Sequence, residues 1–168
     1  MDYIFTLRYL LNPNEHDMDA LVGRLAEAGC DDALIGIGQP GRIALAFTRE
    51  AACAEEAILS AMDNVRSVLP DATLIEATPD MVGLTDVAAL VGMTRQNMRK
   101  LMITNADSFP APIHEGAASI WHLSDILTWM QSRGIYTLAQ SLIDISQTAM
   151  RVNVSKEQRR LIAGAMAG

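Results

Sequence analysis

Hydrophobic and polar positions alternate through Tyr3-Ile4-Phe5-Thr6-Leu7-Arg8-Tyr9, the period-two signature of a strand with one buried face, predicted to run to Leu11. Asn12-Pro13-Asn14 reads as a turn. The period then becomes helical over residues 17–28, with Met18, Leu21, Val22 and Leu25 on one side and Gly29 as the stop. Residues 33–37 and 42–47 read as strands around the hairpin signal Gly38-Gln39-Pro40-Gly41. A second helix is predicted over residues 49–69, its start rich in Glu50, Glu55 and Glu56, which suits the helix dipole. Pro70-Asp71 ends it, and residues 72–77 form a last strand. The order βαββαβ predicts a ferredoxin-like layout, two helices on one face of an antiparallel sheet. Gly38 to Gly41 is too short and wrongly placed for a phosphate loop and reads as a turn.

The pattern changes after Thr78-Pro79-Asp80-Met81, where the domain boundary is placed at about residue 80. Residues 84–101 read as two short helices joined by a tight turn. Ala88 is small enough for two helices to press together, and Gly92 supplies a backbone that tolerates positive φ. Leu84, Val87, Leu90, Val91, Met93, Met98 and Leu101 supply apolar faces, and Thr85 and Thr94 are the predicted N-caps. Past Thr94 the polar positions are Arg95, Gln96, Asn97, Arg99 and Lys100, residue types that contact bases and phosphates. This is the pattern of a helix-turn-helix whose second helix, 94–102, enters the major groove of duplex DNA. Since one helix cannot turn every side chain to the groove, Arg95, Gln96 and Arg99 are favoured over Asn97 and Lys100.

Pro110 and Pro112 then exclude helix, residues 113–121 form a small hairpin around Glu115-Gly116, and Ser124 caps a helix carrying Ile126, Leu127, Trp129 and Met130. Two more helical stretches follow. Residues 136–150 carry Leu138, Leu142, Ile143, Ile145 and Met150, and Ser155 with Gln158 resembles a capping box. Such tail helices are expected to pack on a partner subunit.

The ordered set of helix-turn-helix, Phe109-Pro110-Ala111-Pro112, hairpin, Trp121 and Asp125-Ile126-Leu127-Thr128-Trp129 resembles the winged-helix domains of the AlpA and excisionase type, in the MerR-like group. The resemblance covers about residues 83–133. It implies sequence-specific DNA binding by the helix that Thr94 caps, with the hairpin as a wing against the backbone. Wings of this type usually carry Arg or Lys. Here the tip is His114-Glu115-Gly116-Ala117-Ala118-Ser119, so wing contacts would fall to His114, Ser119 and backbone N–H groups.

Composition sharpens this reading. Half of the 168 residues are hydrophobic but only 5% are aromatic, so aliphatic side chains and the ten Met must fill the core. The net charge of −7 divides unevenly: −9 over residues 1–80, 0 over 81–133 and +2 over 134–168. Long-range steering toward DNA is therefore weak, and modest affinity per protomer points to a homodimer. Cys30 and Cys53, outside any CxxC pair, suit a reducing compartment as small core residues, and neither they nor His114 and His122 make a metal site. His16 reads as a surface loop residue. No membrane-length apolar run and no secretory signal are visible, so a cytoplasmic location is expected. No nucleophile elbow, metal-ligand helix or P-loop points to an enzyme, and no cofactor is implied.

The expected organisation is thus α+β: a ferredoxin-like domain at residues 1–79 for dimerisation, sensing or partner binding, a winged helix-turn-helix at 80–133 and a helical tail at 134–168. The expected role is a dimeric, sequence-specific DNA-binding regulator, with repression as the default. Two alternatives are an excisionase-like architectural factor and an antitoxin-type module whose acidic N-terminal domain binds a basic partner. In a third, that domain takes a small-molecule effector.

Overall fold

A computed structural model describes residues 1–167, and side chains as far as Ala165. The chain is α+β, with a four-stranded antiparallel sheet, a two-stranded sheet and six α-helices among the described residues. Strand β1 (Asp2–Leu10) buries Tyr3, Phe5, Leu7 and Tyr9 and leaves the intervening residues on the other face, as its alternation dictates. It pairs with β3 (Arg42–Glu50) in a register that sets Phe5 against Phe47 and Leu7 against Leu45. The two phenyl rings stack with centroids 5.1 Å apart. Strand β2 (Ala33–Gly36) joins β3 and strand β4 (Thr73–Thr78) joins β1, so the sheet order is β2-β3-β1-β4.

Helix α1 (Met18–Leu25) covers one face through Leu21 and Leu25, and α2 (Ala54–Val68) through Ala57, Ile58, Ala61 and Val65. Asp17 caps α1 by accepting from the Ala20 N–H at 3.1 Å. A π-type turn, Ala26–Cys30, follows, and Gly29 leaves helical geometry within it at φ 112°.

Helix α2 starts later than the sequence predicts. Residues 49 and 50 continue β3, because Arg49 pairs with Tyr3 and turns inward, where its guanidinium is almost buried. It makes paired bonds to Asp32 at 2.7 and 3.0 Å, donates to the Gly29 carbonyl, Ser60 and Asn64, and lies over the Phe47 ring. Cys53, expected in the core, is exposed instead. Its sulfur caps α2, 3.5 Å from the Glu56 N–H, while Cys30 is buried.

The two predicted tail helices are one, α6 (Gln140–Ala167). Residues 136–139 are not helical, and the expected capping box does not form: Ser155 lies mid-helix and accepts from Arg159. Neither Gly nor Pro interrupts residues 140–163, and packing holds the helix straight through. That packing is within the chain. Ile145, Ala149 and Val152 enter the core of the sheet, and Ile143 enters the second core, built around Val87, Met98, Trp121, Leu123, Ile126 and Leu127. Helix α6 therefore ties both cores together.

It does so along the free edge of β4. The Asn153 side chain acts as a strand partner there. Its Oδ1 accepts from the Ala77 N–H and its Nδ2 donates to the Ala77 carbonyl, both at 2.8 Å. The same Nδ2 donates to Asp80 Oδ2 at 2.9 Å. Lys156 donates to the Ile75 carbonyl beside it. Asp80 is fully buried, and its Oδ1 lies 2.6 Å from His122 Nδ1, while its carbonyl accepts from the Leu123 N–H. Among the described residues no helix is long and apolar enough to cross a membrane.

Removing the Asn153 amide strips partners from both Ala77 backbone groups and from a buried carboxylate oxygen. Asn153→Ala should lower unfolding free energy in urea by about 2–4 kcal/mol. Val154→Ala, one residue away and exposed, should change it by less than about 0.5 kcal/mol. Equal losses would assign the effect to helix packing rather than to the amide.

Candidate nucleic-acid interface

The second core supports two helices at a sharp angle of chain. Helix α3 (Leu84–Val91) ends at Gly92, whose backbone is left-handed at φ 73° and ψ 30°. The Gly92 N–H returns to the Ala88 carbonyl, and the Met93 N–H reaches the same oxygen at 2.8 Å. Helix α4 (Arg95–Thr104) begins at once, capped by Thr94, whose Oγ1 accepts from the Asn97 N–H at 3.1 Å. Ala88 is buried with Val87 and Met98 at the contact of the two helices, as its size predicts. The N-cap of α3 is Gly83 rather than Thr85, which is exposed in the first turn; the Gly83 N–H donates to Asp86 Oδ2 at 3.0 Å. Leu90, expected on the apolar face, is 41% exposed.

Met98 anchors α4 inward, which decides where every other side chain goes. At about 100° per residue, Gln96, Lys100 and Ile103 stand opposite it. Arg95 and Arg99 flank that crest on one side and Asn97 on the other. Arg95, Gln96, Asn97, Arg99 and Lys100 are all exposed. Among the described residues none of these five side chains has a hydrogen-bond or ion-pair partner. Of the ten cations elsewhere, Arg8, Arg24, Arg49, Arg66, Lys156 and Arg160 are each paired with a carboxylate, whereas Arg42, Arg133, Arg151 and Arg159 are not, among the described residues. Helix α4 itself holds no acidic residue.

Arg95 and Arg99 line a groove of about 890 Å³ between α4 and the segment 110–120, with Ile103, Phe109, Ile120 and Trp121 among its other lining residues. Phe109 packs edge-on to both Trp121 and Trp129, at 6.0 and 5.0 Å between centroids. Trp121 Nε1 donates to the Pro110 carbonyl at 2.9 Å. Both tryptophans thus serve packing.

The expected hairpin over 113–121 is reduced to one antiparallel bridge between His114 and Ile120. Its second strand is used elsewhere. Strand β6 (Trp121–His122) pairs with β5 (Met81–Val82), which sequence reasoning left inside the linker. His122 then starts helix α5 (Leu123–Ser132), so Ser124 is not the cap but lies in the first turn. At the bridge tip the exposed His114 ring folds over Gly116, where a Cβ would come within 2.7 Å of His114 Nε2. Ser119 is half-buried and Glu115 lines the groove. The structure thus brings Arg95 and Arg99 together with the segment that carries Ser119, whereas Thr94, Gln96, Asn97, Lys100 and His114 do not line that groove.

The residues that sequence reasoning missed are Asp80, His122 and Asn153. They couple this region to the sheet, yet they are far apart in the chain and lie in no motif. Comparison with known proteins gives no support from similarity: no family model, no curated protein and no solved structure matches this chain.

Ala88 is buried in the second core beside Val87 and Met98. Ala88→Leu should cost about 1–3 kcal/mol by overpacking. Gly92→Ala should cost about 1 kcal/mol or more through its left-handed backbone, although nothing crowds a Cβ there. Urea unfolding of both variants checks this, and an unchanged midpoint in both would contradict the helix contact described.

Proposed function

We propose that this protein is a sequence-specific DNA-binding regulator that acts as a dimer and places α4 in the major groove. The observation that carries this reading is the unpartnered polar face of α4. Three cations and two amides sit within six residues, exposed, with no carboxylate on the same helix to neutralise them. A solvated helix in an acidic protein gains from internal ion pairs, and six of the ten cations elsewhere in this chain are so paired. An unpaired set suits an anionic partner instead.

On this reading residues 80–133 form a winged helix-turn-helix, and the βαββαβ unit with order β2-β3-β1-β4 is ferredoxin-like. Arg95 and Arg99 reach into the groove between α4 and the wing. Gln96 meets adenine edges from the crest of the helix, and Lys100 contacts phosphate. The wing tip adds little charge, because it holds Glu115 and no cation, so His114, Ser119 and backbone N–H groups contact the phosphates there. Repression by occupancy of a palindromic site follows from a two-fold dimer.

Arg95→Ala and Arg99→Ala should each weaken binding to a selected site by about 10- to 100-fold, the worth of one good base contact, with urea midpoints unchanged. With three cations per protomer, log affinity against log salt should fall with a slope no steeper than about −5 for the dimer. Selection from a random duplex library identifies the site. A palindrome supports the regulator, tandem repeats favour an architectural factor, and no enrichment removes the DNA-binding reading.

A further inference from the structure

The sheet has helices on one face only, and its other face is not built for water. An antiparallel sheet with one solvated face normally carries polar residues there. Here the register aligns Ile4 with Thr48, Thr6 with Ala46, and Ala46 with Leu34, so the centre of the face holds no charge. Leu34 is 81% exposed and Ile4 72%, and Leu10 extends the apolar surface. All charges lie at the two ends of the long strands. Asp2 and Glu50 pair in register at one end. At the other, Arg42 pairs with Leu10, and Arg8 lies beside Ala44 with Glu76 at 3.5 Å. An apolar centre with a charged rim is the anatomy of a protein interface.

We propose that this face is the contact between two copies of the chain, packed sheet on sheet about a two-fold axis that runs across the strands. The charge pattern selects that orientation. A two-fold along the strands would lay Asp2 and Glu50 on their own copies. The axis across the strands, passing at the Thr6–Ala46 row, lays the acidic end on the basic end: Glu50 meets the partner's Arg42, twice by symmetry, and Asp2 falls beside it, over the partner's Leu10. Arg42 has no ion-pair partner within its own chain among the described residues, which leaves it free for this role. The four strands present about 450 Å² in projection, at ~3.3 Å per residue and ~4.8 Å between strands. The wall formed by exposed Met81 and Leu90 borders the same face beside Ile4, along a cleft of about 680 Å³. Met81 and Leu90 add to that area, against the roughly 800 Å² per partner of a typical stable interface.

The proposal deepens the dimeric reading of the function and names its surface. Sedimentation velocity of the full chain without DNA tests it. The wild-type chain should be a dimer, and Leu34→Asp and Ile4→Asp, at exposed positions, should each yield a folded monomer. Arg42→Glu and Glu50→Arg should each weaken the dimer by at least about tenfold, and the double variant should restore it. Because these charge changes sit on the rim, they keep the test open if an apolar-to-Asp variant does not fold. A monomeric wild type, or dimers that persist in both Asp variants, would overturn the proposed face. A double variant no tighter than the single ones would overturn its orientation. DNA binding is read separately: a monomer that still binds through α4 sinks the dimer face alone, and a dimer that binds no DNA sinks the DNA reading alone.

Discussion

A strand at the edge of a sheet has a row of backbone N–H and C=O groups with nothing to bond, and burying them unpaired is costly. The edge of β4 meets that constraint with a side chain. The Asn153 amide has a donor and an acceptor spaced like a peptide group, and it bonds both backbone groups of Ala77. Its remaining N–H reaches Asp80, a buried carboxylate in the linker that also bonds the His122 ring. One amide thus closes the sheet edge, fixes α6 and partners the carboxylate that holds β6. The second core is assembled from elements that this cluster has already placed.

That arrangement explains why α4 can be polar on nearly every side but one. The helix needs only Met98 and the flanking Leu101 and Met102 to attach, because α3, α5 and the start of α6 supply the rest of the core. Its remaining surface is released from structural duty. In the acidic N-terminal half four of the five cations, Arg8, Arg24, Arg49 and Arg66, are paired internally. The three cations of α4 have no carboxylate partner, and the local charge there differs in sign from that of the whole chain.

Much of the fold was legible locally. Alternation gave β1 and β3, because period-two burial is written residue by residue. Gly92 and Thr94 located the turn and cap, because each has a stereochemical requirement that few residues meet. The exposed positions Arg95 to Lys100 were legible for the same reason: a helix period around one anchor, Met98, leaves little choice. Errors came where neighbours in space overrode neighbours in sequence. Residues 49 and 50 have helix-compatible composition but extend a strand, since Arg49 gains Asp32, Ser60 and Asn64 by facing the core. Ser155 and Gln158 spell a helix start yet lie mid-helix, since docking of Val152 and Asn153 carries the helix past them.

The sequence by itself determined the α+β class, the order of elements up to β4, the sharp turn between α3 and α4 and the polar character of α4, because each rests on local stereochemistry or on a periodicity within one element. Only the tertiary structure decided which backbone groups β4 would bond, that Met81 and Val82 would pair with Trp121 and His122, and that the tail would be one helix bracing both cores. Those outcomes join residues some 40 to 76 positions apart. Their driving force is the pairing of buried polar groups, which depends on what lies nearby in space and leaves no period in the chain.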